Sequence, residues 1–566
     1  PTPAEREAYL TDQRSDAYER LVDRLLCSPH YGERWGRRWL DAARYSDSDG
    51  YEKDLRRSNW FYRDWVITAF NDDKPYDDFV IEQIAGDLLP GAGQDQRVAT
   101  GFLRNSMVNE EGGADPEQFR VEGVFDRMDA IGKAILGLTT QCAQCHTHKY
   151  DPLTHEEYFG LYAFLNNCNE SIIAAYTPEQ QRQIARIGDR IAALEAELKN
   201  SHPSWREEAM SWAAARREAD VDWRLMSVER ENFTGQKFAF LADGAVVSQS
   251  YAPPKATNGF IAVSPPERVT AIRLELLNHA DLPRGGPGRS IYGSNALTEF
   301  EVVGVDAQGK ERRLEIASAV ADLNVDRRPI GAPFVDDRNG PDQRVVGPID
   351  LAIDGDPRTA WTTDSGPATR NQPRAAVFVL AEPLDASSIE QLIVRLKQNH
   401  GGMYGDQRHS NIAGCFRFST TDAETPAVAP LPVAIREVMA QPVDDFTDAE
   451  WRTLFSFWRT TRPERSSVNA EIQRLLTDYP EGVNQYVVSE RTGADRRVTH
   501  RLDRGDFLSP DQTVEPHTPR FLHPLRDEAP ADRLALAKWL VDRRSPTTAR
   551  AMVNRVWQAY FGTGLV

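Results

Sequence analysis

The amino-acid sequence predicts a multidomain α+β chain. A mainly helical domain occupies 1–176, a helical hairpin 177–222, an all-β sandwich 223–436 and a mainly helical segment 437–566. Three observations carry this. At 566 residues the chain is about twice the length at which a single core stops growing. Apolar residues recur at helical spacing near both ends and alternate in the middle. Between Trp223 and about Arg436, Pro, Gly, Asn and Asp punctuate short β-branched runs.

The elements follow in order. Leu21, Val22, Leu25 and Leu26 share one helical face, because a 3.6-residue period brings i and i+4 together. Ser28 and Pro29 predict a cap and first turn, with Trp35 and Trp39 one turn apart in the helix that follows. Asp115 and Pro116 repeat that signal before an amphipathic stretch containing Met128. Ile184, Ile187, Ile191, Leu194 and Leu198 line a helix over 178–199, and a second is expected over 203–219. With "NSHPS" between them, the pair makes a hairpin. Ile272, Leu274 and Leu276 alternate with Arg273 and Glu275, the period of a half-buried strand. Several such runs at short spacing predict the sandwich. After Phe446 helical patterns return, interrupted by a Pro-rich loop region near 505–530.

Composition excludes some functions. With 67 Lys+Arg against 85 Asp+Glu, the net charge of −18 argues against a broad basic face for nucleic acid or anionic lipid. No run reaches the roughly 18 apolar residues of a membrane span. The chain starts at Pro1 without Met and stops at "VWQAYFGTGLV", so it reads as the middle portion of a longer polypeptide. Any address signal then lies out of view.

One motif carries strong chemistry. Cys142-Ala143-Gln144-Cys145-His146 is a C-x-x-C-H sequence, the attachment motif for c-type haem. Two thiols three residues apart can form thioethers to one haem, and the adjacent imidazole can ligate the iron. Composition alone predicts such a match in about one chain per thousand of this kind. A zinc site needs further ligands, for which His148 and His155 are the irregular choices. A redox C-x-x-C usually follows a strand in a βαβ unit, which is missing. Covalent haem is therefore expected, with His146 as proximal ligand. His148 and Met107 are candidates for the other axial position or the second shell, with Met128 and His30 behind them.

The stretches "YERLVDRLLCSPHYGERWGRRWLDAARYSDSDGYEKD", "NEEGGADPEQFRVEGVFDRMDAIGKAILGLTTQCAQCHTHKYDPLTHEEYFGLYAFLNN" and "DRLALAKWLVDRRSPTTARAMVNRVWQAYFGTGLV" together resemble the planctomycete cytochrome C family of exported proteins. The resemblance covers about half of the chain. It implies a haem-motif domain of unknown function, here 17–170, preceded elsewhere by a cytochrome domain. A variable middle region and the start of a C-terminal partner domain follow. It maps Cys142, Cys145 and His146 onto the haem motif and "HTHKYDPL" onto its neighbour. The middle sandwich resembles a galactose-binding-like domain, a jelly-roll of the discoidin type, through "LTEFEVVG" and "AIDGDPRTAWTT". That resemblance implies a calcium turn at Asp354, Asp356 and Thr359, beside Trp361. Hard oxygen donors suit the ion.

Other constellations carry less. "DSDGYEKD" (Asp47, Asp49, Gly50, Glu52, Asp54) starts like a calcium loop, but Ser58 stands where the bidentate Glu belongs. Asn109-Glu110-Glu111 places paired carboxylates before Gly-Gly, and Arg504-Gly505-Asp506 is a tripeptide of almost no specificity. The function expected is haem binding and electron transfer in a periplasmic or otherwise extracytoplasmic protein. Its partner is a redox protein or attached cytochrome domain, with glycan as a second partner. Two alternatives stand beside it: a haem-linked oxidoreductase acting on carbohydrate, and a non-redox glycan-binding scaffold.

Overall fold

The computed structural model describes the chain apart from residues 1, 110, 112, 219–220, 232–235, 264–266, 339, 405–406, 425–430 and 527–529. It is mixed α+β, with helices toward the N-terminus, a large central β-sandwich region and helices again near the C-terminus. The chain divides into two units. One joins Pro1–Asn109, Glu117–Glu170 and Gln485–Val566; the other joins Glu110–Pro116 and Ser171–Asn484.

The first unit is built mainly of helices, among them Ala17–Leu26, His30–Ala42, Trp60–Asn71, Tyr76–Ala85, Pro116–Ile131 and His155–Asn166. Pro116 opens its helix as predicted, where the missing N–H costs nothing. Pro29 stands at the N-cap position itself, and Ser28 Oγ accepts from the His30 N–H at 3.4 Å. The apolar face of Ala17–Leu26 is not buried: Leu25 and Leu26 are 52% and 49% exposed. Amphipathicity specifies a face but not what covers it.

Trp39 organises the centre of this unit. It stacks on Phe102, meets Phe79 edge-on and donates its Nε1–H to Gln83 Oε1 at 2.7 Å. Leu536, Trp539 and Leu540, from the far end of the chain, belong to the same core. Arg533 fixes them there. It is fully buried, with Nε on Glu490 at 2.7 Å, Nη2 on Asp87 at 2.7 Å and Nη1 on the Ile84 carbonyl at 2.9 Å. A buried guanidinium needs such complete pairing. Residues 485–566 thus group with the N-terminal core and 437–484 with the middle of the chain.

In the second unit, two antiparallel sheets enclose one core. The first runs in the order Glu311–Leu314, Glu299–Val305, Gln391–Gln398, Ala256–Ala262, Val228–Arg230. The larger sheet runs Ile316–Ala321, Arg374–Asp385, Arg268–Leu276, Cys415–Thr421, Val246–Gln249, Lys237–Phe240, with Arg224–Met226 also on Cys415–Thr421. Ile272, Leu274 and Leu276 point inward, as their alternation predicts, and meet Phe260, Phe300, Phe378 and the buried Trp361. On the outer face Glu275 receives Arg417 and Arg436, and the latter ties down the helix Val433–Ala440. Two helices, Pro178–Ser201 and Trp205–Glu218, stand where the hairpin is expected. Trp205 of the second meets Phe455 of the helix Asp448–Trp458, and Glu195 of the first accepts from Arg459 Nε at 2.9 Å.

Candidate functional site

The C-x-x-C-H motif is placed by its neighbours on both sides. Upstream, the helix Pro116–Ile131 ends in a wide turn, Gly132–Leu136, followed by Gly137 in the left-handed region at φ 67°. A Cβ on Gly132 would stand 2.9 Å from the Leu138 carbonyl and 3.0 Å from Thr140, so only glycine allows the chain to double back here. Gln141–Gln144 then forms a single 3-10 turn. With three residues per turn, side chains at i and i+3 eclipse, which sets Cys142 and Cys145 on one side. Ala143 is fully buried, whereas Cys142, Cys145 and His146 are exposed. Neither cysteine is in a disulfide.

The three histidines of this segment have distinct roles. His146 Nδ1 lies 2.8 Å from the Thr147 carbonyl oxygen. A carbonyl only accepts, so Nδ1 carries the proton and Nε2 keeps its lone pair. His148 is the reverse. Its Nδ1 accepts from the N–H groups of Asp151 at 2.8 Å and Tyr150 at 3.3 Å, which puts its proton on Nε2. Its side chain is 8% exposed and its own N–H donates to the Leu153 carbonyl at 2.9 Å. This ring closes the "HTHKYDPL" loop from inside. His155 opens the helix His155–Asn166, capped reciprocally by Thr154 and Glu157. Its Nε2–H donates to the Gln144 carbonyl at 3.0 Å, and its ring meets Phe159 edge-on at 5.1 Å. Burial holds the His155 imidazole below its ordinary range.

A hairpin near the other end of the chain completes the surroundings. Strands His500–Leu502 and Pro510–Thr513 are joined through Asp503–Gly505, where Arg504 and Gly505 both have positive φ, 53° and 76°. A Cβ on Gly505 would lie 3.0 Å from Gln144 Cγ. The Arg-Gly-Asp tripeptide is thus a tight turn against the C-x-x-C-H segment, and Asp506 accepts from the Leu508 N–H and the Ser509 hydroxyl.

The donor set fits a covalently held haem: two exposed, unpaired thiols on one side of one turn and an imidazole with a free Nε2. A bare ion is less well served. Among the described residues no group of three His, Cys, Asp or Glu side chains is arranged to hold one. Met107 is 61% exposed and lies over Gly50. Met128 is buried in the first unit's core, and His30 pairs with Glu33 at 2.7 Å.

The remaining predicted sites are occupied by protein donors. Thr359 Oγ1 donates to Asp354 at 2.9 Å, and Arg358 grips both oxygens of Asp356 at 3.0 and 2.7 Å. Those contacts hold the Asp356 carboxyl down at about 2, chiefly through the Arg358 side chain. In "DSDGYEKD", Asp47 accepts from the Tyr45 hydroxyl, Asp54 from the Gly50 N–H, and the buried Asp49 faces Arg57 Nε at 3.6 Å. Of the Asn109-Glu110-Glu111 group, Asn109 is buried and Glu110 lies outside the described residues. Sequence reasoning missed a cluster of buried guanidiniums. Arg57 donates to the Arg104, Ser106 and Ser48 carbonyls, and Arg127 donates to the Leu103 carbonyl and Glu170. Burial pushes the Glu170 carboxyl up, but Arg127 and Arg104 win and bring it to about 2. Isolated arginines without periodicity leave no signal in the sequence.

Comparison with known proteins matches the flanks of the chain. No curated protein and no solved structure matches it. Residues 1–170 match the family described as PSCyt2, protein of unknown function (DUF1549), and residues 532–566 match PSD1, protein of unknown function (DUF1553), which fits the planctomycete cytochrome C label.

Proposed function

We propose that this chain is an extracytoplasmic, c-type cytochrome-like protein that holds one haem covalently and passes single electrons to a redox partner protein. One arrangement carries the reading: exposed Cys142 and Cys145 sit in and just after the turn Gln141–Gln144, followed at once by exposed His146, whose Nδ1 is held by the Thr147 carbonyl. Each thiol would add across one vinyl group, sulfur to the inner carbon and hydrogen to the outer, consuming no oxidant. When bound, the haem supplies a one-electron Fe(III)/Fe(II) couple. The chain's own residues orient it: Thr147 fixes the His146 tautomer through the Nδ1–H bond, a constraint that also raises the ligand's basicity. Haem is attached outside the cytoplasm, hence the compartment.

The sandwich is read as a galactose-binding-like, discoidin-type module that docks a glycan or the redox partner. Its two antiparallel sheets and the turn from Asp354 to the buried Trp361 support this. The decisive experiment is to mature the chain in a host with haem-attachment machinery. The expected result is a Soret band, a reducible α band and a covalent haem mass increment, with the axial spectrum lost in His146→Ala. Protein of unmodified mass without a Soret band would refute the proposal.

A further inference from the structure

We propose that His155 and Gly505 are positioning residues for this haem: they hold Gln144 from two sides and so fix the turn that presents both thiols. The inference rests on the reading above. Gln144 lies between the cysteines, and its carbonyl belongs to the peptide that leads into Cys145. His155 Nε2–H donates to that carbonyl at 3.0 Å, which sets the peptide plane and with it the direction of the Cys145 side chain. The same residue reaches the far side of the motif, where its backbone N–H donates to Thr147 Oγ1 at 3.4 Å. Thr147 in turn accepts the His146 Nδ1–H through its carbonyl. One histidine therefore brackets Cys145 and His146 together. Its ring is not free to turn, being packed edge-on against the buried Phe159.

Gly505 supplies the opposing surface. At φ 76° it occupies the region that L side chains rarely enter, and its bare Cα admits Gln144 atoms to within 3.0–3.3 Å of where a Cβ would be. Its turn is closed by the Asp506 N–H on the Asp503 carbonyl at 3.0 Å and the Asp503 N–H on the Ser509 carbonyl at 2.9 Å. A helix start and a distant hairpin thus converge on one residue of the motif.

The test uses haem-loaded full chain in three variants: His155→Phe, which keeps the ring packing and removes the donor; His155→Gln, which restores a donor; and Gly505→Ala. Covalent haem per chain, the axial-ligand spectrum and the midpoint potential are read together with the melting temperature. One lost hydrogen bond predicts about a fivefold fall in the attachment-ready turn. The expected result for His155→Phe is about that fall in covalent haem, with a shifted potential and an unchanged melting temperature. His155→Gln should recover wild-type behaviour and Gly505→Ala should resemble the Phe variant. Wild-type haem content and potential in His155→Phe would overturn the inference while leaving the haem reading intact, as would a failure of His155→Gln to rescue. A wild-type chain without haem overturns both.

Discussion

Glu275 offers the sharpest test of the forces that hold the second unit together. It is fully buried on the outer face of the larger sheet, and its carboxylate takes Arg417 Nε at 2.7 Å, an Nη2 bond from Arg436 and the charge of Arg273 at 3.7 Å. Burial alone would push this carboxyl up. The Arg417 bond and the charges of Arg273 and Arg436 outweigh burial and bring it from 4.5 to about 2. At 1.36 kcal/mol per unit, that depression corresponds to about 3 kcal/mol of stability. The sign follows from the direction: a lowered carboxyl favours the folded state fully above about pH 4.5 and loses its effect as pH falls toward about 2. Glu275→Gln keeps the shape, removes the charge and takes away the carboxylate that the partly buried Arg417 and Arg436 hold. The expected loss at neutral pH is about 3 kcal/mol, measured by denaturant unfolding of the second unit's transition. The difference between wild type and variant should shrink steadily below about pH 4.5. A loss under about 1 kcal/mol, or one unchanged between neutral pH and about pH 3, would show that the arginines are held by something other than this carboxylate.

Three further outcomes are expected. Arg533→Ala should cost the first unit about 3–5 kcal/mol, because it strands Asp87 and Glu490 in the core; thermal unfolding that leaves this unit unmoved would contradict the pairing. Asp322, raised to about 6 by burial, has an Oδ2 without a hydrogen-bond partner. A raised carboxyl penalises the folded state above its pKa, so Asp322→Asn should stabilise above about pH 6 and make no difference below about pH 4, as calorimetry would reveal. Calcium at Asp354 and Asp356 would have to displace Arg358, so the melting temperature is expected to be the same with chelator and with added calcium. A clear rise with calcium would show that the ion binds there in place of Arg358.

The legible parts of this molecule are those governed by local periodicity. Ile272, Leu274 and Leu276 announced an inward strand face, and Ile187 and Leu194 marked the buried side of the long hairpin helix. The spacing of Cys142, Cys145 and His146 is equally local, and its haem reading stands as the proposal above. What could not be read depends on partners far apart in sequence. Arg533 carries no pattern, yet its bonds to Asp87 and Glu490 decide that the last helices join the first ones. Gly505 stood in a tripeptide of almost no specificity, and its positive φ together with the approach of Gln144 explains the glycine. Leu25 and Leu26 err in the other direction, since their periodicity is clear and their face is open.

The split composition of the first unit bears on how the protein is made. Its core needs Leu536, Trp539 and Leu540 beside Met128 and Leu161, so the N-terminal helices cannot finish packing while the ribosome is still making the middle of the chain. During that interval the second unit, contiguous apart from Glu110–Pro116, can fold first. The hairpin that carries Gly505 also emerges late. Gln144 therefore meets the Gly505 side of its surroundings only once nearly the whole chain has been made.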